Sequence, residues 1–152
     1  MSRHFRTIFA RMLGLRPPAM QVAALCICPE TSRVLLITSR GTGRWIIPKG
    51  WPMAGRTLAQ AAMQEAWEES GVQGEVSETP IGRYHYDKEQ DRSFAIPVDV
   101  RVFPVRVSAL ADDFPEASQR TRKWFTPAEA AELVDESGLK QLLRSLKASS
   151  VP

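Results

Sequence analysis

The sequence predicts an α/β fold in which helices pack around a mixed β-sheet. Segments of strand composition and segments of helix composition are both present in the 152 residues, and neighbouring strand segments are often joined by short turns. A doubly wound parallel sheet needs a long crossover between successive strands, so short turns favour a sheet with antiparallel pairs. A chain of this length is also sufficient for one domain with a hydrophobic core.

The first predicted elements are a pair of strands followed by a loop. Gln21–Cys28 and Arg33–Ser39 are β-favouring apolar runs, and the turn-like residues between them predict a hairpin or a neighbouring strand pair. A glycine-containing break ends the second run. A brief apolar stretch, Trp45–Ile47, then precedes a predicted loop over residues 48–56, which contains two glycines and two prolines.

Residues 57–70 form the clearest predicted helix. Thr57 and Gln60 make a capping-box pattern, alanines fill the interior, and Gly71 marks the end. The chain therefore enters this helix directly from the loop before it.

Two further strand segments follow the helix. Strand-type residues run over 74–86 and 92–107, and the charged residues 87–91 are predicted to be the turn between them. Residues 111–120 are predicted to be a loop, and Lys123–Phe125 a last short strand.

The chain is predicted to end in two helices. Pro127 is well placed to start the first, which runs to about Val134. Gly138 is expected to separate it from the second, which ends near Ala148.

Positive charge is concentrated at the N-terminus. Residues 1–20 contain four arginines and no acid, so the formal net charge of +3 falls to −1 for the rest of the chain. We expect a basic N-terminal segment over residues 1–20 and a domain over residues 21–148. The basic segment is a targeting peptide, a membrane-surface helix or a surface-packed terminal segment. The near-neutral domain argues against nucleic acid as a ligand.

Composition and cysteine placement favour a cytoplasmic location. The chain is 43% hydrophobic and 24% charged, as in ordinary globular proteins. No apolar run approaches the roughly 20 residues that span a bilayer, and Arg11 interrupts the one candidate signal stretch. Cys26 and Cys28 would share one side of a strand, where two neighbours are poorly placed for a disulfide. We therefore expect reduced, structural cysteines.

Three carboxylates of the central helix indicate a candidate metal-binding or catalytic site. Glu65, Glu68 and Glu69 are spaced i, i+3 and i+4, which places them on one face within about one turn. No lysine or arginine within the helix offsets their repulsion. Carboxylate oxygens are ligands that Mg²⁺ prefers, together with water and substrate phosphates. An ordinary solvated acidic face is the alternative.

The loop before the helix favours the metal-binding interpretation. Gly50 would allow the backbone to approach a phosphate, and Lys49 would neutralise a phosphate oxygen. Loop and helix together resemble the Nudix box, G-x5-E-x7-R-E-U-x-E-E-x-G-U, in which U is aliphatic. The spacing is kept without insertion. The matching residues are Gly50, Glu65, Ala66, Glu68, Glu69, Gly71 and Val72.

Two positions depart from the box. Arg56 occupies the position of its first glutamate, and Gln64 that of the arginine before Glu65. In the family, that arginine is thought to orient a neighbouring glutamate through a charged hydrogen bond. Gln64 donates a hydrogen bond without charge, and Arg56 is positioned to face substrate phosphates instead.

The resemblance implies a Nudix-type α/β/α sandwich with a mixed β-sheet, and hydrolysis of a nucleoside diphosphate linked to another group or of a related pyrophosphate. By position in the box, Glu65 and Glu69 would bind Mg²⁺, with Mn²⁺ as an alternative, and Glu68 would be the general base. Because the three acids are coupled, Glu65 is also a catalytic candidate and Glu68 a metal ligand. Glu116 is the candidate for a fourth acid; an exposed loop glutamate is the alternative.

Resemblance also narrows the expected substrate. Pro48-Lys49-Gly50 and the Lys123–Pro127 segment are similar to the diphosphoinositol polyphosphate and diadenosine polyphosphate hydrolase branch, so a polyphosphorylated small molecule is the expected partner. Two alternatives remain: a catalytically weak Nudix-fold binding module, and an RNA 5′ pyrophosphohydrolase. The natural substrate and the oligomeric state stay open. The candidate substrate-binding residues are Lys49, Gly50, Trp51, Arg56, Arg83 and His85, with Lys88 and Arg92 near the same predicted turn.

Overall fold

A mixed β-sheet organises the computed structural model, which describes residues 19–91 and 94–152. The described strands are β1 (Ala19–Ile27), β2 (Val34–Thr38), β3 (Trp45–Ile46), β4 (Lys49–Gly50), β5 (Val72–Val76), β6 (Gly82–Asp91), β7 (Phe94–Leu110) and β8 (Arg122–Phe125). The described helices are α1 (Leu58–Ser70), α2 (Pro127–Leu133) and α3 (Ser137–Arg144), followed by a 3₁₀ turn at Ala148–Ser150.

The order of the strands confirms the predicted mixed sheet. The path runs β3-β2-β1-β7-β5, while β4 pairs with β1, β6 with β7 and β8 with β2. The central pair, β1 and β7, is parallel over its whole length, from Ala19 opposite Val98 to Ile27 opposite Arg106. The hairpin pair β1–β2 and the pairs that β7 makes with β5 and β6 are antiparallel. The sheet is therefore built mainly from antiparallel neighbours around one parallel pair.

Two hydrophobic cores lie on opposite faces of this sheet, because successive side chains of a strand point to opposite sides. On β1, Leu25 belongs to the core that also contains Ala130 and Leu139 of the two C-terminal helices. Its neighbours Ala24 and Cys26 belong to the core beneath α1. The layers are thus helix, sheet and helix, as expected for an α/β/α sandwich.

Helix α1 forms where its sequence signals predicted it. The Thr57 hydroxyl accepts from the Gln60 N–H at 3.1 Å, and the Gln60 side chain accepts from the Thr57 N–H at 2.9 Å. Gly71 ends the helix in the left-handed region, at φ 69°. The side facing the sheet is lined by small buried side chains, which allow close packing. They are Ala59, Ala61, Ala62 and Ala66.

The strand boundaries around β6 correct two predictions. The segment predicted over residues 74–86 is two strands, because the chain bends after Val76 and Pro80 has no N–H to continue a ladder. The predicted charged turn over residues 87–91 is also wrong: these residues continue β6, with Asp87 opposite Pro97 and Lys88 opposite Ile96. Backbone pairing with the long strand β7 outweighs the local charge pattern. The predicted loop 48–56 likewise begins with the two-residue strand β4.

The C-terminal helices follow the prediction at the first element and depart from it at the second. Helix α2 starts at Pro127 and has a capping box between Thr126 and Glu129. Gly138 is not the residue that separates the two helices, because it lies in the first turn of α3. A Cβ there would lie 2.7 Å from Tyr84 Cβ, so this glycine allows helix and sheet to approach closely. Helix α3 ends at Arg144, before the predicted end near Ala148.

The cysteines are free, as expected; Cys26 is buried and Cys28 is partly exposed at the end of β1. The basic segment predicted over residues 1–20 lies almost entirely outside the described residues, so its boundary stays a prediction. None of the described helices has the length and apolar character required to cross a membrane.

Candidate active site

The carboxylate of Glu65 packs directly against the backbone of Gly50. Strand β4 holds Gly50 opposite Val22 of β1, and α1 presents Glu65 to it. A Cβ at position 50 would overlap the Glu65 carboxyl group, with Oε2 only 2.8 Å away. A side chain at this position would therefore displace the carboxylate, which is a physical reason for glycine here.

Glu69 lies one turn further along α1 and is almost completely buried, with 4% of its surface exposed. Its Oε2 accepts a hydrogen bond from the Lys49 N–H at 3.1 Å. Its Oε1 accepts another from the Arg120 guanidinium, also at 3.1 Å. Strand β4 and the loop before β8 therefore fix both oxygens of this acid.

Burial and mutual repulsion oppose ionisation of the two acids. Burial, together with the nearby charges of Glu68 and Glu116 and against a smaller lowering by Arg120, raises the pKa of Glu65 to about 7. Burial also raises the pKa of Glu69 to about 7; Arg120 and the Lys49 N–H partly oppose this shift, while Glu65 adds to it. When ionised, the pair therefore carries negative charge that the protein alone does not fully neutralise.

The loop over residues 111–121 brings two more charged groups to the pair. The Glu116 N–H donates to the Glu68 carbonyl at 3.0 Å, which fastens this loop to the end of α1. The Arg120 guanidinium lies 3.0 Å from Glu116 Oε1 as well as 3.1 Å from Glu69 Oε1. The structure thus brings the predicted fourth acid, Glu116, to the cluster. Arg120 was missed by sequence reasoning, because only its i, i+4 spacing from Glu116 is visible in the sequence.

These groups line a cleft with a volume of about 830 Å³. Glu65, Glu69 and Glu116 form an acidic group at the cleft, and Asp87 and Asp135 also belong to its lining. Positively charged side chains among the lining residues are suited to a polyanion. They are Arg40, Arg44, Lys49, Lys88 and Arg120.

Two aromatic rings at the cleft are each paired with a lysine. The Lys88 ammonium lies 4.9 Å from the centre of the Trp51 ring, and 43% of Trp51 is exposed. The Lys49 ammonium lies 5.2 Å from the centre of the Tyr86 ring. Burial lowers the pKa of Lys49, and nearby carboxylates partly oppose that shift. Lys49, Gly50 and Trp51 therefore all line the cleft, and their contact with a substrate stays a prediction.

Other predicted site residues lie elsewhere. Glu68 is not among the residues that line the cleft; its Oε1 accepts from the Gln64 amide at 3.0 Å. Arg56 and Gln64 line a separate depression of about 540 Å³ beside α1.

The structure does not bring Arg83 and His85 to the cleft either. Strand alternation turns them away from Tyr84 and Tyr86, which pack on the core of the C-terminal helices. His85 instead lies 3.9 Å from Asp99. Arg92 is outside the described residues.

The chemistry of the acid pair fits a hard divalent cation. Within residues 19–91 and 94–152, no group of three acidic, histidine or cysteine side chains is arranged as a formed metal cluster. Glu65 and Glu69 nevertheless offer carboxylate oxygens, the donors that Mg²⁺ prefers. Because like charge and burial raise both pKa values, a cation between these carboxylates would remove a cost that the fold otherwise carries.

Comparison with known proteins supplies the family. The model of the NUDIX domain family matches residues 17–146. Nudix hydrolase 21, chloroplastic, of Arabidopsis thaliana is 32% identical over 113 residues, which cover 74% of this chain and 55% of the relative. Diphosphoinositol polyphosphate phosphohydrolase 3-beta of Bos taurus is 28% identical over 124 residues, covering 78% and 71%. The chain spans about half the length of the plant relatives it matches.

Solved structures share the fold. A NUDIX hydrolase from Nitrosomonas europaea superposes with a TM-score of 0.66 at 20% identity, over 84% of this chain and 87% of that one. An Ap4A hydrolase from C. elegans superposes with a TM-score of 0.58 at 20% identity, over 84% and 95%. These matches confirm the Nudix-type fold that the box resemblance implied.

Proposed function

This chain belongs to the NUDIX domain family, and from that membership we propose that it is a Mg²⁺-dependent hydrolase of a phosphoanhydride bond in a polyphosphorylated small molecule. One observation supports this above the others. The buried Glu69 and the half-buried Glu65 lie in the same cleft as four basic side chains besides Arg120. A polyphosphate needs positive charge around its phosphates, and hydrolysis needs a metal-binding, proton-accepting group at one of them.

The acid pair would hold the metal. Glu65 and Glu69 supply carboxylate oxygens, and Glu116 adds a third acid nearby. Bound Mg²⁺ would neutralise phosphate charge and lower the pKa of the attacking water. Bound Mg²⁺ would hold Glu65 and Glu69 in the ionised form. We therefore assign metal binding to these two acids and keep Glu68, whose carboxylate accepts from the Gln64 amide, as the general base by its position in the box; the roles of the coupled acids can exchange.

The basic side chains would bind the remaining phosphates. Lys49 comes from β4 and Lys88 from β6, and Arg40 and Arg44 come from the β2–β3 connection. Relatives named diphosphoinositol polyphosphate phosphohydrolases and a structural neighbour named Ap4A hydrolase motivate two substrate classes. Diadenosine polyphosphates carry nucleobases; diphosphoinositol polyphosphates do not.

A substrate panel tests the proposal. Purified protein is incubated with diadenosine polyphosphates, diphosphoinositol polyphosphates, nucleotide sugars and nucleoside triphosphates, with Mg²⁺ or with a chelator. We expect Mg²⁺-dependent release of phosphate or nucleotide from at least one of the first two classes. If no compound is hydrolysed, the chain is a binding module, an alternative that the departures at Arg56 and Gln64 motivate.

Trp51 offers a way to tell the two substrate classes apart. Stacking of a nucleobase on an aromatic ring contributes about 1–3 kcal/mol, so Trp51→Ala should raise KM for a diadenosine polyphosphate about 5-fold or more. Trp51→Phe keeps a ring and should retain most of the affinity. For a diphosphoinositol polyphosphate, Trp51→Ala should leave KM within about 2-fold. A KM for diadenosine substrates that Trp51→Ala does not change would exclude stacking on this ring.

Location and domain boundaries complete the proposal. We propose a cytoplasmic protein on the basis of its free cysteines, although the names of some relatives place those proteins in chloroplasts or mitochondria. We also propose the division predicted from the sequence, a catalytic domain over residues 21–148 and a basic appendage over residues 1–20, with Ala19 and Met20 counted in the domain because they already pair with β7. The net charge of −1 outside residues 1–20 gives an RNA substrate no support.

A further inference from the structure

We propose that Arg120 is a positioning residue, which supplies from the loop before β8 the guanidinium that α1 lacks and holds Glu69 and Glu116 in the cleft. This inference rests on the proposed function of the acid pair as a metal site. Arg120 has no contact with substrate in this role. It acts by orienting the carboxylates of Glu69 and Glu116.

Arg120 is bonded on several sides at once. Its Nε donates to Glu116 Oε1 at 3.1 Å, and one terminal nitrogen lies 3.0 Å from the same oxygen and 3.1 Å from Glu69 Oε1. The other terminal nitrogen donates to the Thr38 carbonyl at 3.1 Å. Only 7% of the side chain is exposed. One guanidinium therefore joins α1, the 111–121 loop and the end of β2.

The helix itself provides no such cation. Residues 58–70 contain neither lysine nor arginine. Gln64, which occupies the position of the box arginine, donates an uncharged hydrogen bond to Glu68 and does not meet Glu69 or Glu116. The charge that meets both acids comes instead from Arg120, 51 positions beyond Glu69. Arg40 lies 3.5 Å from Glu116 as well, but its side chain is 59% exposed, and an exposed ion pair holds a carboxylate only weakly.

The geometry requires arginine in particular. A guanidinium is planar and has five N–H donors in a fixed fork, so it can serve two carboxylates and a carbonyl in different directions. A lysine ammonium is a single point on a flexible stem. Arg120→Lys therefore keeps the charge in the cleft but loses the fork, which separates positioning from simple neutralisation.

Arg122 provides a matched control. It also donates from its guanidinium to the same region, but to the main-chain carbonyls of Ser70 and Ala111, at 2.8 and 2.7 Å. It fastens the loop without meeting the acids of the cleft. Arg122→Lys should therefore lower thermal stability and leave the acid pair in place.

The experiment measures two quantities for wild type, Arg120→Lys and Arg122→Lys: the affinity of the metal-free protein for Mn²⁺, by electron paramagnetic resonance, and kcat and KM with the best substrate of the panel. Loss of a group that orients metal ligands typically costs 10- to 100-fold in metal affinity or activity. For Arg120→Lys we expect Mn²⁺ affinity and kcat at saturating Mg²⁺ each to fall by about 10-fold or more, with KM within about 3-fold. Arg122→Lys should keep both within about 3-fold.

Each outcome separates this inference from the proposed function. Unchanged or tighter Mn²⁺ binding by Arg120→Lys, or a loss confined to KM, would overturn the positioning role even if the wild type is active. Equal losses in both variants would also overturn it, because they would report loop stability alone. If wild type hydrolyses nothing but Arg120→Lys still weakens Mn²⁺ binding selectively, the proposed function fails and the role of Arg120 stands.

Discussion

Single residues of this cleft are constrained by space as much as by charge. Gly50 has no Cβ, and the Glu65 carboxylate occupies the volume that a Cβ would fill. Glu69 is held by a main-chain N–H and a guanidinium. Adding one methyl group or removing one charge at these positions should therefore change catalytic activity and thermal stability by different amounts, and the two can be measured independently.

Gly50→Ala should impair catalysis without unfolding the protein. The added methyl group overlaps the Glu65 carboxyl group and forces it aside, and a displacement of about 1 Å of a reacting group can cost about 100-fold in rate. We expect kcat/KM to fall by about that factor, with an unchanged circular dichroism spectrum.

Gly55→Ala is the control for that change. Gly55 has a φ of 76° and open space around its Cα, so alanine there strains the backbone and costs stability. Activity of the folded fraction should persist. Equal losses of activity in the two variants would contradict the conclusion that the Glu65 carboxylate needs the space that a Cβ at position 50 would fill.

The raised pKa values of the acid pair predict opposite effects of pH with and without metal. The pKa values of Glu65 and Glu69 are about 7, against an ordinary value of 4.5. Between these values the folded protein holds more protons than the unfolded chain, so this contribution to stability is present below about pH 4.5 and is lost as pH rises to about 7. Metal binding requires the ionised carboxylates, so the stabilisation by Mg²⁺ should grow over the same interval.

Thermal melting at about pH 5.5 to 8, with Mg²⁺ or with a chelator, measures both trends. The increase in Tm on adding Mg²⁺ should be larger at about pH 8 than at about pH 6. An Mg²⁺ effect that is the same across this range would count against a metal site formed by acids with raised pKa values.

At the scale of the elements, α1 is the support on which the site depends. Its capping box fixes where the helix starts, and therefore which turn presents Glu65 and Glu69. Thr57→Ala removes the hydroxyl that accepts from the Gln60 N–H and should lower the free energy of unfolding by about 1 kcal/mol.

For a domain of this size, that loss corresponds to a Tm decrease of about 2–4 °C. Thr57→Ser keeps a hydroxyl that can accept from the Gln60 N–H, so its Tm should stay close to that of the wild type. A Tm for Thr57→Ala equal to that of the wild type would show that the rest of the fold determines the start of the helix.

Elements with local signals were predictable, and those that depend on distant partners were not. The cap residues, alanines and terminal glycine of α1 all lie within one short segment, and the helix formed as predicted. Residues 87–91 looked like a turn because of their charge, but pairing with β7 makes them strand. Gly138 looked like a helix breaker, whereas its contact with Tyr84 explains its place inside α3.

The same distinction applies to the site. Glu65, Glu68 and Glu69 are neighbours on one helix, so their clustering followed from spacing alone. Arg120 reaches Glu69 from a loop that folds back onto α1, and no local sequence pattern reveals this contact. Arg83 and His85 were grouped by their nearness to a predicted turn, but strand alternation takes them away from the cleft.

At the scale of the whole molecule, the cleft lies beside α1 and also reaches the α2–α3 connection, where Asp135 is part of its lining. Strand β1 is central: it pairs with β2, β4 and β7, and its two faces belong to two separate cores. Strand β4 pairs with β1 at Gly50, where it also packs against α1. The 111–121 loop is hydrogen-bonded to the end of α1 on the same side of the sheet. Glu65 and Glu69 are therefore attached close to the centre of the sheet, and the cationic groups around them differ in exposure, from 7% for Arg120 to 59% for Arg40.

The most direct test of the proposed metal site is a titration of Mg²⁺ followed by thermal melting at about pH 8, for wild type and Glu69→Gln. Glu69→Gln removes one charged ligand while keeping the shape of the side chain. We predict a saturable rise in Tm for the wild type, as expected for a ligand that binds the folded state. Glu69→Gln lacks a charged ligand and should respond little to Mg²⁺. Equal Mg²⁺-dependent rises in Tm for the two proteins would contradict a metal site built on Glu69.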